Sequence, residues 1–410
     1  MSKPSKEEIL KYHHKGKINI STSKKLTNQT DLAIAYTPGV SLICEEIEKD
    51  LNKTWDLTTK SNNVAVVTDG TAVLGLGNIG PEASIPVMEG KAALFKTFAN
   101  IDAWPVPLKL NIKSPNYIDE FIETVKSFSC MYGGINLEDI AAPNCFEIEK
   151  RLDEALDIPV FHDDQWGTAI ITLAALKNYL IVSNKKIDQI KVTINGAGAA
   201  GLRIADMIKA AGVKNCILCD SKGAITTKRK DINKYKALHA IDSNVITLLD
   251  AMNKSDVFIG VSKGDCVTEE MILSMNEFPA IFAMANPNPE IKPEIVKNCL
   301  KNRKYVLATG RSDYPNQINN VLGFPFIFRG ALDVKATTIT KNMKIAAADA
   351  LALLAREKDV PEIVKKAYNR DFEFGVDYLI PTPFDPRINE YESKAVSMAA
   401  IKDKVAKITY

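Results

Sequence analysis

Histidine and cysteine are scarce in this chain of 410 residues, with four and seven copies respectively. A scattered, odd cysteine set offers no disulfide framework and suits a reducing compartment. Cys216 and Cys219 have C-x-x-C spacing, but an odd spacing on a strand turns the two sulfurs to opposite faces. With no second pair or His cluster beside them, they read as core packing and exclude a zinc or redox site. His13 and His14, with no other His near in sequence, read as a surface pair. Charge of one sign is also missing. The 52 Lys+Arg against 50 Asp+Glu leave a net +2, which excludes a nucleic-acid or acidic-membrane partner. No apolar run reads as long enough to span a bilayer, and the polar start of the chain lacks the apolar core of a signal peptide. No repeat or low-complexity stretch appears. What remains is a soluble, cytoplasmic globular chain long enough for two or three domains.

From residue 190 the pattern is strand, turn, helix, repeated, which predicts an α/β fold with a doubly wound, Rossmann-like sheet. Strands are expected at residues 191–194, 215–219, 257–259, 280–284 and 305–308. Their exits carry Val261-Ser262, Asn286-Pro287 and Gly310-Arg311, where such a sheet places its ligand. Helices are expected at 6–14, 86–99, 339–358, 362–374 and 390–405. G-x-G-x-x-G occurs twice, at Gly75/Gly77/Gly80 and at Gly196/Gly198/Gly201. The second follows its strand directly and opens a helix, whose N-terminus favours a pyrophosphate. Asp220 ends the next strand, where an acid can bond ribose hydroxyls; Asp102, the counterpart for the first motif, begins a strand instead. The dinucleotide is therefore assigned to Gly196, Ala197, Gly198, Ala199, Ala200 and Gly201 with Asp220, and the first motif to a structural turn near the active site. Asp220 leans the coenzyme toward NAD, although Ser221 and Lys222 beside it offer a 2′-phosphate some purchase.

Four places can carry chemistry. Asp163 and Asp164 end an apolar strand at 158–161, just before a helix opened by Gly167 and Thr168. Read as extended, they point to opposite sides and serve different partners. Isolated, such a pair is ordinarily a solvated helix cap. Lys91 falls within the apolar stripe Val87, Leu94, Phe95 and Phe98. A lysine there either snorkels or has a job, and burial draws its pKa down toward that of a general base. Glu138 and Asp139 sit where a strand becomes a loop, a common place for merely solvated acids. Tyr36 precedes the turn Thr37-Pro38-Gly39.

Taken together, these segments resemble the malic enzymes of the short bacterial type. The matching stretches are Ala35-Tyr36-Thr37-Pro38-Gly39-Val40, residues 67–81, Met88-Glu89-Gly90-Lys91, Asn136-Leu137-Glu138-Asp139-Ile140, Phe161-His162-Asp163-Asp164-Gln165 and residues 308–324. The resemblance spans about residues 15–335. It implies oxidative decarboxylation of (S)-malate to pyruvate and CO2 with NAD or NADP and Mg2+ or Mn2+. It implies an N-terminal α/β catalytic domain over residues 1–160 and an NAD(P)-binding domain over 161–410, with C-terminal helices from about 336. By position, Tyr36 matches the family's general acid and Lys91 its general base, while Asp163 matches the acid beside that lysine. Glu138, Asp139 and Asp164 match the metal ligands. Asn286 and Asn320 match positions that contact substrate or nicotinamide, and Val261 joins the coenzyme contacts. A homodimer is implied. Nothing resembling the phosphotransacetylase-like extension of longer relatives follows residue 410. Two positions depart from the pattern: Trp166 stands where many short relatives have His, and Ala72 where larger eukaryotic enzymes have Arg. Three alternatives remain: a malolactic-type enzyme, a silent dinucleotide-binding regulatory subunit, and a metal-free amino-acid dehydrogenase.

Overall fold

The computed structural model describes residues 4–408 except Leu74 and Ser312, which belong to two of the motifs above and lie outside the described residues. Two parallel sheets organise the chain. The first has the order β2-β1-β3-β4, with β1 at Asn63–Thr68, β2 at Asp102–Pro107, β3 at Gly134–Leu137 and β4 at Val160–His162. Val64, Ala65, Val66 and Val67 are all fully buried. Such a continuous apolar run is what a strand covered on both faces requires.

The second sheet has the order β10-β9-β8-β5-β6-β7. Its strands are β5 (Lys191–Asn195), β6 (Asn215–Asp220), β7 (Gly223–Ala224), β8 (Val257–Gly260), β9 (Ala280–Ala283) and β10 (Val306–Thr309). All pairings are parallel except the short β6–β7 pair. The chain leaves β5 for β6 on one side and returns with β8 on the other. The switch point, and with it the crevice, therefore lies at the carboxyl ends of β5 and β8.

Helices α1 (Lys6–His13), α2 (Gln29–Ala35), α3 (Val40–Lys49) and α4 (Thr54–Leu57) precede the first sheet, and α5 (Pro81–Ala99), α6 (Tyr117–Phe128) and α7 (Asn144–Ala155) cover it. Helix α5 starts earlier than residue 86: Pro81 takes the favourable first position after Gly80, and Pro86 lies inside the helix. Helix α8 (Asp163–Ser183) leaves β4 and buries 13 of its 21 residues, packing on α9 (Ala199–Ala210) and on the helix Lys341–Leu354. The expectation that no apolar run is long enough to span a bilayer does not hold for α8. By length and composition alone, α8 is apolar enough to cross a bilayer. It is instead apolar all round because it is the spine of the core. The C-terminal helices are Phe324–Asp333, Lys341–Leu354, Glu362–Tyr368 and Arg387–Lys402. The third is shorter than expected because Asn369, in the left-handed region at φ 50°, caps it.

Candidate active site

The carboxyl ends of the first sheet and the start of α8 bring four acids together around one lysine of α5. Asp163 and Asp164 are not extended: they form the first turn of α8. Successive helical residues still diverge by about 100°, so the two carboxylates face different partners for a different reason from the one the sequence suggested. The Asp163 carboxylate is fully buried and accepts from the Lys91 ammonium and from the Asn320 amide. A Cβ on Gly167 would come within 2.0 Å of the other Asp163 oxygen, so residue 167 has no room for a side chain. Asp164 accepts from the Asp139 backbone N–H at 2.8 Å.

Lys91 is 8% exposed. Its Nζ also pairs with Glu138 Oε1 at 3.1 Å and lies 4.3 Å from the ring centre of Phe324. The stripe argument located this buried lysine correctly but misjudged its charge. Burial pulls its pKa down, yet the carboxylates of Asp163, Glu138 and Asp164 outweigh that and hold it above the ordinary value. Burial pushes the Glu138 carboxyl up, while Lys91 opposes the shift.

Glu138, Asp139 and Asp164 offer carboxylate oxygens that all lie within 4.8 Å of one another. Three partly or wholly buried anions in so small a volume repel each other unless a cation sits among them. All-oxygen donors suit a hard ion such as Mg2+ or Mn2+, not zinc, so the donor set fits the implied metal. Asn136 steadies Glu138 with an amide N–H bond of 3.1 Å. The first glycine motif buttresses the same end: Ala72 N–H donates to the Asp139 carbonyl at 2.9 Å, and Gly70 at φ +70° leaves no space for a Cβ against Gly80. A Cβ on Gly75 would sit 3.0 Å from the Asn286 carbonyl, so this turn reaches the exposed exit of β9.

Gly196, Ala197 and Gly198 line a separate cavity of about 640 Å³, with Asp220, Lys222 and Ser262 on its walls. A Cβ on Gly201 would lie 1.7 Å from the Gly196 carbonyl, and one on Gly196 would lie 2.5 Å from the Val261 carbonyl. Only glycine permits this close strand-to-helix approach. Ala199 and Ala200 open α9, whose N-cap Gly198 makes no side-chain cap bond, leaving its N–H groups to an anion. Asp220 is not free. Arg229 binds it with two N–H bonds of 2.7 and 3.1 Å, and Lys236 donates at 2.7 Å. Burial raises its pKa, but these bonds win and lower it to about 2.

Tyr36 does not join the group. It ends α2 and is 69% exposed, and among the described residues its hydroxyl has no hydrogen-bond partner. Sequence reasoning also missed the surroundings of Trp166. Lys344 and Arg203 lie 3.8 and 4.6 Å from its rings, and Arg203 donates to Gln165 at 2.8 Å. Glu290 was missed as well; it ties the exits of β8 and β9 by accepting from Ser262 N–H at 2.9 Å and Ala285 N–H at 3.1 Å. These partners come from distant parts of the chain, and no local pattern signals them.

A glycine-built crevice of the dinucleotide-binding kind, together with a buried lysine and three clustered carboxylates, marks an α/β dinucleotide-binding protein with a candidate cation site. The comparisons narrow this class. Residues 15–153 match the malic enzyme N-terminal domain and residues 166–365 the malic enzyme NAD-binding domain. The chain is 52% identical to the probable NADP-dependent malic enzyme of Rickettsia prowazekii over 100% of this chain but only 53% of that one. It is 50% identical to the bifunctional malic/malolactic enzyme of Bacillus subtilis over 98% of this chain and 95% of that one. It thus spans about half the length of some curated relatives and nearly all of others. The crystal structure of malic enzyme from Pyrococcus horikoshii superposes with a TM-score of 0.87 at 42% identity, covering 98% of this chain and 92% of that one. The chain belongs to the malic enzyme family.

Proposed function

We propose that the chain oxidatively decarboxylates (S)-malate to pyruvate and CO2, reducing a nicotinamide dinucleotide with the help of a divalent cation. The observation that carries this reading is the buried Lys91, held by Asp163 beside the Glu138, Asp139 and Asp164 cluster. Glu138, Asp139 and Asp164 would hold Mg2+ or Mn2+, which would supply Lewis acidity, and the Gly196–Gly201 turn would hold the dinucleotide, which would supply the hydride acceptor. Lys91 accepts the C2 hydroxyl proton. It can do so only after giving up its own, and the carboxylate pull on that proton falls once Glu138 and Asp164 act as ligands. Asp163 and Asn320 fix the lysine's position. Tyr36 returns a proton to C3 after CO2 leaves C4. Asn286 and Asn320 are the positions assigned to substrate or nicotinamide contact.

For the coenzyme we propose NADP, reversing the lean toward NAD that Asp220 alone suggested, with NAD as the weaker alternative. A bare Asp220 would repel a 2′-phosphate, but Arg229 and Lys236 occupy its oxygens, and Lys236 itself brings positive charge to the rim of the cavity. The name of the Bacillus subtilis relative keeps a second reading in view, a malolactic-type conversion to lactate. The division into domains at residues 160/161, a cytoplasmic location and assembly as a homodimer accompany the proposal, with malate as the partner and no nucleic acid or membrane. The test is Lys91→Ala. With malate, Mn2+ and NADP it should lose about 10²–10⁴-fold in turnover, the range for an acid–base group, while titration still shows coenzyme binding. A variant with near-normal turnover sinks the assignment. Measuring pyruvate against lactate separates the two readings.

A further inference from the structure

Glu290 is a buried anion without a cation. It has no exposed surface, and among the described residues no lysine, arginine or histidine pairs with it. Burial pushes its carboxyl pKa up, and the backbone N–H groups of Ser262 and Ala285 oppose the shift. An amide costs less to bury than a charge. What a carboxylate offers and an amide does not is a pair of acceptor oxygens, and here each serves a different loop. Oε1 takes the Ser262 N–H at 2.9 Å and Oε2 the Ala285 N–H at 3.1 Å. Strand β8 makes room for the group: a Cβ on its last residue, Gly260, would lie 2.3 Å from Glu290 Cδ and 2.6 Å from both oxygens.

The two loops belong to different halves of the chemistry. Residues 261–266 follow β8: Val261 packs against the Gly196 turn, and Ser262, Lys263 and Cys266 line the dinucleotide cavity. Residues 285–290 follow β9 and arch outward, with Asn286, Pro287 and Asn288 exposed between buried Ala285 and buried Pro289. Glu290 therefore closes the arch on which Asn286 stands and fastens it to the wall of the coenzyme site. Val267 N–H donates to the Glu290 carbonyl and Asp265 N–H to the Pro289 carbonyl, both at 3.0 Å, along the returning side of the arch. The coenzyme loop has a hold of its own, since Asn195 donates to Ser262 Oγ at 2.9 Å. The start of the arch, at Ala285, is tied to that loop by the carboxylate.

We propose that Glu290 is a positioning residue for hydride transfer: its two oxygens set the distance between the coenzyme wall and Asn286, and so between the nicotinamide and malate. In Glu290→Gln one N–H keeps its acceptor and the other meets an NH2 group, so the spacing opens whichever bond is lost. The coenzyme loop stays held by Asn195, and the Asn286 arch drifts. Coenzyme affinity is therefore kept while hydride transfer slows, because a misplacement of about 1 Å costs up to about 10²-fold in rate. A merely structural role would not split the two. The proposal rests on the reading of Asn286 as a contact to substrate or nicotinamide.

The test is a rapid-mixing single turnover. Enzyme in excess over NADP, with Mn2+, is mixed with saturating malate, and the first appearance of reduced coenzyme is timed. Wild type, Glu290→Gln, Gly264→Ala and Asn286→Ala are compared, each beside an NADP titration. Glu290→Gln should bind NADP within about threefold of wild type yet form reduced coenzyme about 10–10²-fold more slowly. Gly264→Ala spreads the same loops from outside, since a Cβ there would lie 2.7 Å from Asn288 Cβ and 2.8 Å from its carbonyl oxygen. It should slow the step in the same direction, and it decides the matter if Glu290→Gln yields no chain that binds NADP. A wild-type rate in Glu290→Gln, or in Gly264→Ala where that variant has to decide, overturns the proposal. So does a loss of rate matched by an equal loss of NADP affinity. A wild-type rate in Asn286→Ala overturns instead the assignment of Asn286 on which the proposal rests.

Discussion

Replacing Asp163 by Asn removes one negative charge and changes almost no volume. Asp163 has no exposed surface, and it accepts from the Lys91 ammonium and the Asn320 amide. Breaking one side of a buried ion pair costs about 3–5 kcal/mol because the surviving charge is left in a poor environment. Here Lys91 keeps Glu138 at 3.1 Å, so the lower end applies, about 3 kcal/mol. Turnover should fall by about 10²-fold or more, because Lys91 loses the group that fixes its position and its proton affinity. The measurements are urea unfolding with and without coenzyme and steady-state turnover with malate. Coenzyme affinity should stay within about twofold, since the 640 Å³ dinucleotide cavity lies elsewhere. A variant with unchanged unfolding midpoint and unchanged turnover would refute the reasoning: the Asp163–Lys91 pair would then be neither structural nor catalytic.

At the coenzyme rim, Lys236→Ala and Arg229→Ala each uncover part of Asp220. A charge-assisted hydrogen bond is worth about 1.5–3 kcal/mol, so KM for NADP should rise at least about tenfold while KM for NAD changes little; equal effects on both coenzymes contradict the proposed NADP preference. The Asp220 carboxyl, lowered to about 2 by Arg229 and Lys236 against the pull of burial, contributes stability that is complete above its ordinary value of 3.8. That contribution drains away as pH falls through about 2, the direction required when the folded pKa is depressed. Acid unfolding of Asp220→Asn should lack this component, and a profile identical to wild type contradicts it.

Periodicity and turn chemistry sufficed for what depends on neighbours in sequence. The helical stripe around Lys91 placed it on an apolar face, and the strand ending in Asp220 separated the two glycine motifs. The adjacency of Asp163 and Asp164 implied different partners, although the helix had already begun at Asp163 and the extended geometry was not the cause. Three things were not legible. The charge on Lys91 depends on carboxylates that reach it from residues 138, 163 and 164, and only their assembly sets the sign. The Asp220 clamp uses Arg229 and Lys236, nine and sixteen residues further along the chain, where no local pattern marks them. Pro86 resembled a helix start because a proline at the first turn is favourable, but Pro81 had taken that place.

The central claim is that Glu138, Asp139 and Asp164 hold a dication without which Lys91 cannot work. Its most direct test is malate-dependent reduction of NADP by the purified chain, stripped with EDTA and then titrated with Mn2+, following pyruvate and reduced coenzyme together. The account predicts no turnover in EDTA, full recovery on Mn2+ addition, equal amounts of pyruvate and reduced coenzyme, and recovery shifted to much higher Mn2+ in Asp164→Asn. Undiminished turnover in EDTA would contradict it.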